Sequence, residues 1–204
     1  MIENLSIDSG GIYGFCYLGS LKYLYEQNLL DNLKNILGSS VGSLIGLMIC
    51  LKFSIDDIIL LGEHLDLEKV INKDNNILDI GQNLGFDNGE KMEKLIKSII
   101  KSKMKKIDIT FIELYEYNNI LFNVLASNLT ENRSEYFNKD ITPTMNVWEA
   151  IRISCNIPLI FSPYKYKDNY YMDGALNSCS TDYFKDDKRS LGLTICQQFR
   201  IVLM

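Results

Sequence analysis

Histidine is almost absent from this chain, which has one in 204 residues, together with one tryptophan and three prolines. The single histidine and the scattered acids form no cluster with metal-ligand spacing, so we expect no metal and no other cofactor. The five cysteines show no C-x-x-C pair, and no secretory leader is visible. An odd number of unpaired cysteines predicts reduced thiols and an intracellular, cytoplasmic protein, with peripheral membrane attachment left open.

A basic excess and a long hydrophobic run are also missing. The net charge is −5, which argues against nucleic acid as a partner. The longest uncharged run, residues 35–51, is 17 residues long and contains Gly-Ser-Ser-Val-Gly-Ser. That interior suits a turn and a buried helix better than a bilayer, so no transmembrane segment is expected. The length predicts one domain, residues 1–204, and nothing in the sequence indicates the oligomeric state.

Strand and helix patterns alternate from the start of the chain. Residues 5–8 and 35–38 read as strands, and residues 14–28 and 41–52 as helices. A βαβα order predicts an α/β fold with a mainly parallel central sheet covered by helices in an α/β/α arrangement. The remaining predictions are a loop or lid at 66–90, helices after Ser54, Asn88, Thr110 and Asn146, strands at 119–127, 134–137 and 191–196, and a hairpin turning at Asp168-Asn169.

The pentad Gly38-Ser39-Ser40-Val41-Gly42 lies between a predicted strand and a predicted helix. G-x-S-x-G in this setting is typical of a nucleophile elbow, in which glycines make room for a sharp turn that exposes the serine hydroxyl. We therefore predict Ser40 as a nucleophile, supported by Gly38 and Gly42.

Two further turns accompany the pentad. Ser9-Gly10-Gly11 and Gly14 follow the first strand, and closely approaching backbone N–H groups there could bind an oxyanion. Asp173-Gly174 ends a strand-like run and presents a carboxylate on a turn. The single histidine, His64, precedes Asp173 in the chain, so the simplest base for Ser40 is Asp173 itself.

These motifs resemble the patatin-like phospholipase family. The glycine turn, the G-x-S-x-G, the block 122–130, the block 150–163 and Asp173-Gly174-Ala175 come in the order of that family along most of the chain. The resemblance implies a lipid acyl hydrolase with a serine–aspartate dyad of Ser40 and Asp173. It also implies an oxyanion hole at Gly10 and Gly11 with Ser9 as a third donor, supporting glycines at 14, 38, 42 and 174, and lipid or a membrane surface as the substrate.

The glycine turn departs from the family pattern, because Ser9 replaces the first glycine and Tyr13 the basic residue. Two alternatives therefore stay open: an acyltransferase on the same fold, and a catalytically inactive lipid-binding or host-interacting protein. A dinucleotide fingerprint has little support, because Ser9 interrupts G-x-G-x-x-G.

The helix predicted at 89–103 has an apolar stripe and many lysines. A basic amphipathic helix can lie on an anionic membrane, but a stripe packed into the core with solvated lysines is the favoured interpretation.

Overall fold

The structure is a computed structural model that describes residues 1–64, 70–71, 84–184 and 187–195. The described strands are β1 (Asn4–Ile7), β2 (Asn35–Ser39), β3 (Gly85–Asp87), β4 (Leu121–Asn128), β5 (Arg133–Phe137), β6 (Leu159–Phe161), β7 (Tyr164–Tyr166), β8 (Asn169–Asp173) and β9 (Ser190–Leu193). The α-helices are α1 (Phe15–Glu26), α2 (Val41–Cys50), α3 (Ile55–His64), α4 (Glu90–Lys103), α5 (Phe111–Asn118) and α6 (Val147–Ser154). Short 3-10 helices span Gly11–Gly14, Gly174–Leu176 and Ser180–Phe184.

A central sheet holds seven of the described strands, in the order β7-β8-β4-β2-β1-β9, with β5 also paired to β4. β9, β1, β2 and β4 are mutually parallel, whereas β8 and β5 run antiparallel to β4 and β7 runs antiparallel to β8. Five of these seven strands therefore point the same way. The predicted α/β fold with a mainly parallel central sheet is confirmed.

The register of the sheet brings the ends of two strands to neighbouring positions on β4. Ser39 of β2 pairs with Leu125 of β4, and the next residue of β4, Ala126, pairs with Asp173 of β8. Neighbouring strands lie about 4.8 Å apart, so the ends of β2 and β8 flank β4 within the reach of side chains. Ser40 directly follows the end of β2, and Asp173 is the last residue of β8.

Helix α2 is the most apolar of the described helices, and nearly all of it is buried. It packs on β1, β2 and β4. Within the 17-residue uncharged run, β2 and α2 are thus separate buried elements. None of the helices in the described part of the chain is both long and apolar enough to cross a bilayer.

Several local predictions are confirmed. Thr110 and Glu113 form a reciprocal capping box at the start of α5. β5 pairs antiparallel with β4. Met92, Ile96 and Ile99 of α4 are buried, so the apolar stripe packs into the core as the favoured interpretation held.

Other local predictions need correction. Residues 66–69 and 72–83 of the predicted loop lie outside the described residues, but Gly85–Asp87 is a strand that pairs with Leu159–Phe161. The hairpin turns at Lys167-Asp168, because Lys167 takes a positive φ of 53° and Asn169 already belongs to β8. The last described strand ends at Leu193, and Cys196 lies outside the described residues. The single domain over residues 1–204 stays a prediction.

Candidate active site

Ser40 occupies a strained turn between β2 and α2. Its φ of 52° and ψ of −124° are rare for a residue with a side chain. The turn is packed so tightly that a Cβ on Gly42 would stand 2.0 Å from the carbonyl oxygen of Ile7. Only glycine fits there, which explains the second glycine of the pentad. A Cβ on Gly38 would similarly stand 2.4 Å from Cα of Ser43.

Hydrogen bonds hold the Ser40 backbone on both sides. The N–H and the hydroxyl of Ser43 donate to the Ser40 carbonyl oxygen at 2.9 and 2.6 Å. The Ser40 N–H donates to Oγ of Ser154 at 2.9 Å, and that hydroxyl donates to the Leu125 carbonyl oxygen at 2.6 Å. Ser154 therefore ties the strained turn to the central strand β4.

Asp173 is the last residue of β8 and is 5% exposed. Its carboxylate accepts a hydrogen bond from the Ala175 N–H at 3.0 Å. Burial raises the pKa of Asp173 from 3.8 to about 6, and interactions with the Ser40 hydroxyl, the Ala175 N–H and the Ser9 hydroxyl lower it. The Ser40 hydroxyl is therefore near enough to act on the carboxylate, which is a better proton acceptor than an exposed aspartate.

Asp173 is also fixed through its backbone. Its N–H donates to the Asn156 carbonyl oxygen at 3.0 Å. Asn156 is fully buried, and its side chain receives a 2.7 Å hydrogen bond from the buried Arg152. A Cβ on Gly174 would stand 2.5 Å from Oγ of Ser39, so the turn after Asp173 packs directly on the end of β2.

The glycine turn lies on the other side of Ser40. Gly11 has a positive φ of 50°, which favours glycine, and opens the 3-10 helix Gly11–Gly14. Gly14 packs on Val41, the residue after Ser40, because a Cβ there would stand 2.7 Å from a Val41 methyl group. Gly11 and Ser40 line the same cavity. The geometry is therefore compatible with oxyanion donors at Gly10 and Gly11.

The Ser9 side chain faces β2 and Asp173. Its hydroxyl lies 2.8 Å from Oγ of Ser39, and it lowers the pKa of Asp173. The Ser9 carbonyl oxygen accepts a hydrogen bond from the Tyr17 hydroxyl at 2.9 Å. The role of the Ser9 N–H as an oxyanion donor stays a prediction, and the influence of its side chain on Asp173 was not part of that prediction.

An apolar cavity of about 280 Å³ opens beside Ser40. Its described lining comes from the glycine turn, α1, α2, α3, α4 and the segment after α6, and it is apolar apart from Ser40 and the Cys155 thiol. Such a lining suits hydrocarbon and excludes charged head groups, which would lose their hydration without gaining partners.

His64 and Asp8 face elsewhere. His64 is exposed at the end of α3, where Nδ1 lies 2.8 Å from the Leu60 carbonyl oxygen. Asp8 accepts hydrogen bonds from Ser180 and Cys179, on the segment that leads to β9. Within the described ranges, no three His, Cys, Asp or Glu side chains are placed to hold a metal ion.

The sequence profile of the patatin-like phospholipase family matches residues 5–181. The chain belongs to this family. The match runs from the first strand past Asp173 and so contains every residue described above for the patatin-like site.

Viral and yeast proteins are similar to this patatin-like chain. It is 34% identical to the uncharacterized protein R571 of Acanthamoeba polyphaga mimivirus, over 95% of this chain and 65% of that protein. It is 27% identical to the probable lipid hydrolase 463L of Invertebrate iridescent virus 6, over 85% and 60%. Triacylglycerol lipase 4 of Saccharomyces cerevisiae is 29% identical over 80% of this chain and 19% of the lipase. The chain thus spans less than two thirds of the length of these relatives.

Solved structures show the same fold. VipD from Legionella pneumophila superposes with a TM-score of 0.71 at 18% identity, covering 94% of this chain and 49% of VipD. ExoU of Pseudomonas aeruginosa, solved with SpcU, gives a TM-score of 0.56 at 18% identity over 76% of this chain and 38% of that one.

Sequence reasoning missed Ser154 and Asn156 as residues that position the site. Both lie in the block 150–163 that carries the family resemblance. The sequence therefore indicated that this block belongs near the site, but it did not indicate which residues Ser154 and Asn156 bond. Their contacts cross the sheet to Ser40, Leu125 and Asp173, and no local pattern encodes such pairs.

Proposed function

We propose that this patatin-like chain hydrolyses ester bonds of glycerolipids and glycerophospholipids, as a phospholipase of the A type, inside cells and at lipid surfaces. The observation that carries the proposal is the buried Asp173 carboxylate, whose pKa burial raises and the nearby Ser40 hydroxyl lowers, beside a strained Ser40 turn that opens on an apolar cavity. The names of the viral lipid hydrolase and the yeast lipase support lipid as the substrate class.

Acylation begins when the Asp173 carboxylate accepts the Ser40 proton. The Ser40 Oγ attacks the ester carbonyl carbon, and the carbonyl oxygen becomes an oxyanion that accepts hydrogen bonds from the N–H groups of Gly10 and Gly11. Collapse of this intermediate breaks the bond to the alcohol, which takes the proton from Asp173. The acyl group is then esterified to Ser40.

Deacylation repeats the steps with water. Asp173 accepts a proton from a water molecule, whose oxygen attacks the acyl carbon of the Ser40 ester. The bond to Oγ breaks, Asp173 returns the proton to Ser40, and a fatty acid leaves. The base has to be ionised in both halves, so activity should rise with pH through about 6, the pKa that burial gives Asp173, and level off above it.

A lipid panel tests the proposal. Purified protein is incubated with defined triacylglycerols and phospholipids, and products are identified by mass spectrometry, with Ser40→Ala as the control. Release of fatty acids and lysolipids by the wild type alone supports the proposal. Transfer of the acyl group to an added alcohol in preference to water would favour the acyltransferase. No turnover by folded wild-type protein, with no fluorophosphonate labelling, would favour the inactive lipid-binding protein.

His64→Ala separates the dyad from a histidine-based triad. His64 is exposed and bonded to its own helix, so we expect near-wild-type turnover and an unchanged pH profile. A triad that loses its histidine loses on the order of a thousandfold or more in turnover. A loss of that size in folded His64→Ala protein would contradict the assignment of Asp173 as the base.

A further inference from the structure

The cavity beside Ser40 follows one face of α2. The helix contributes Val41, Leu44, Ile45 and Met48 to the lining, and positions three and four apart share one side of a helix. Ser40 immediately precedes the first of them. The cavity therefore runs from the nucleophile along the helix axis toward Met48.

The lining is exposed at the glycine turn and the start of α1, where Ile12 and Phe15 are 55% and 45% exposed, and it is buried along α2, where Leu44, Ile45 and Met48 are 5%, 3% and 6% exposed. Residues 49–57 are all described, and none of them lines the cavity. Met48 is thus the last side chain of α2 in the lining and the one farthest along the helix from Ser40.

The length of the cavity follows from helix geometry. Met48 comes eight residues after Ser40, which is about 12 Å along the axis at 1.5 Å per residue. The methionine side chain points back toward the start of its helix, which leaves about 10 Å. A fully extended chain advances roughly 1.2 Å per bond, as the span of an extended peptide shows. The space therefore holds about eight to ten carbons.

The width admits one chain. The volume of about 280 Å³ is just below the range of roughly 300 to 1,000 Å³ that is usual for ligand pockets. α3 and α4 form the opposite walls, with Ile58, Leu61, Met92 and Leu95 in the lining. A second acyl chain and the polar part of a lipid would have to stay outside.

We propose that this cavity selects a single acyl chain of about eight to ten carbons, and that Met48 sets the upper limit. The inference rests on the proposed function, because it takes Ser40 as the nucleophile whose Oγ bonds the carbonyl carbon of the acyl chain. It goes further by naming the acyl length and the residue that determines it.

The wild-type protein is tested with p-nitrophenyl esters of saturated acids from four to sixteen carbons, each below its critical micelle concentration. Each methylene that enters the cavity should raise kcat/KM by up to about fourfold. The rise should stop at eight to ten carbons. A rise that continues through fourteen carbons, or no dependence on length, would overturn the proposal.

Met48→Ala is the test of the limiting residue. It removes three heavy atoms from the Met48 side chain. The break in the series, which is the chain length at which kcat/KM stops rising, should therefore move to longer esters by about two to three carbons. Met48→Val shortens the side chain with less loss of packing and should move the break by one or two carbons. Met145→Ala is the matched control, because Met145 is 4% exposed but does not line the cavity, and its break should stay at the wild-type length. If the break stays at the wild-type length in both folded Met48 variants, Met48 does not set the upper limit of acyl length.

A binding series separates this proposal from the proposed function. Titration of the protein with free saturated fatty acids needs no catalysis, and affinity should stop rising at the same eight to ten carbons. If no ester is hydrolysed and the binding series still breaks there, the catalytic proposal fails and the cavity assignment stands. If esters are hydrolysed and neither series breaks, the cavity assignment fails alone.

Discussion

Asp8 and Asp173 are both buried aspartates at the C-terminal ends of strands in the central sheet, yet their surroundings differ in kind. The Asp8 carboxylate accepts from the N–H and hydroxyl of Ser180 at 3.2 and 3.1 Å, from the Cys179 thiol at 2.7 Å and from the Thr194 hydroxyl at 3.2 Å. These donors come from the segments on either side of β9. Asp8 therefore fastens the edge strand β9 beside β1.

Asp173 receives fewer fixed donors. Its carboxylate accepts a hydrogen bond from the Ala175 N–H, the hydroxyls of Ser40 and Ser9 lower its pKa, and burial, which raises that pKa, is the largest influence. A carboxylate that is buried with few donors accepts a proton readily, because little compensates its charge. The comparison predicts that Asp8 stabilises the fold and that Asp173 costs stability in return for reactivity.

Asp173→Asn should have the largest effect. The amide keeps the shape but cannot accept the Ser40 proton, so kcat should fall by on the order of a thousandfold or more. The double variant with Ser40→Ala should be no worse than either single one, because the two residues act as a unit. Steady-state kinetics on folded proteins measure both, and full activity in Asp173→Asn would end the dyad assignment.

The same variant should be more stable than the wild type at neutral pH. A folded-state pKa above the unfolded value means that ionised Asp173 opposes folding at pH above about 6. Removing the charge should therefore raise the free energy of unfolding at pH 7.5 by at most about 3 kcal/mol. The gain should shrink as the pH falls from 6 to 4, which thermal denaturation across that range would show; a gain independent of pH would point to another cause.

Asp8→Asn should show the opposite pattern. The amide has one acceptor oxygen in place of two and no charge, so the free energy of unfolding should fall by about 1 to 3 kcal/mol. The kcat of the folded fraction should stay within about tenfold of wild type, because Asp8 has no hydrogen bond to Ser40 or Asp173 among the contacts described. Denaturant unfolding and kinetics on one preparation test it. A stable Asp8→Asn protein with a large kcat loss would reverse the comparison.

Ser154→Ala tests whether the backbone of the nucleophile has to be held in place. The variant leaves the Ser40 N–H without its Oγ acceptor and the Leu125 carbonyl without its donor. We expect kcat to fall by about tenfold with KM nearly unchanged, and Ser154→Thr to restore most of it because it keeps the hydroxyl. A loss of stability with an unchanged kcat would show that Ser154 only supports the fold.

Ser9→Gly should give the smallest effect and sharpens the account of Asp173. The Ser9 hydroxyl lowers the pKa of that carboxyl, so its removal should raise the pKa and move the rising limb of the pH–activity profile to higher pH. The plateau above the limb should be little changed, because glycine is the family's residue there. If the rising part of the pH–activity profile moved to lower pH, the result would contradict the effect of the Ser9 hydroxyl on the pKa of Asp173.

Much of this arrangement was predictable, because local patterns encode it. Gly38 and Gly42 around Ser40 indicate a strained turn, and the strand, turn and helix alternation indicates the parallel sheet. The capping box at Thr110 and Glu113 was readable for the same reason. Each depends on residues within one or two turns of each other.

What sequence reasoning missed depends on contacts between distant residues. The three-residue strands β3 and β6 pair across more than 70 positions, too short and too far apart to show a period. The place of β9 beside β1 is fixed by pairing and by Asp8, not by the residues of β9 alone. Ser9 and Asp173 are far apart in the sequence, so the effect of the Ser9 hydroxyl on the pKa of Asp173 could be found only in three dimensions.

The most direct test of the central claim is the pH dependence of fluorophosphonate labelling. The rate of modification is measured from pH 4.5 to 8.5 in wild type and in Asp173→Asn, and the modified peptide is sequenced by mass spectrometry. The account predicts labelling at Ser40, with a rate that rises through a pKa of about 6 in the wild type and is slow and flat in Asp173→Asn. Labelling at another residue, or an identical pH profile in the two proteins, would contradict it.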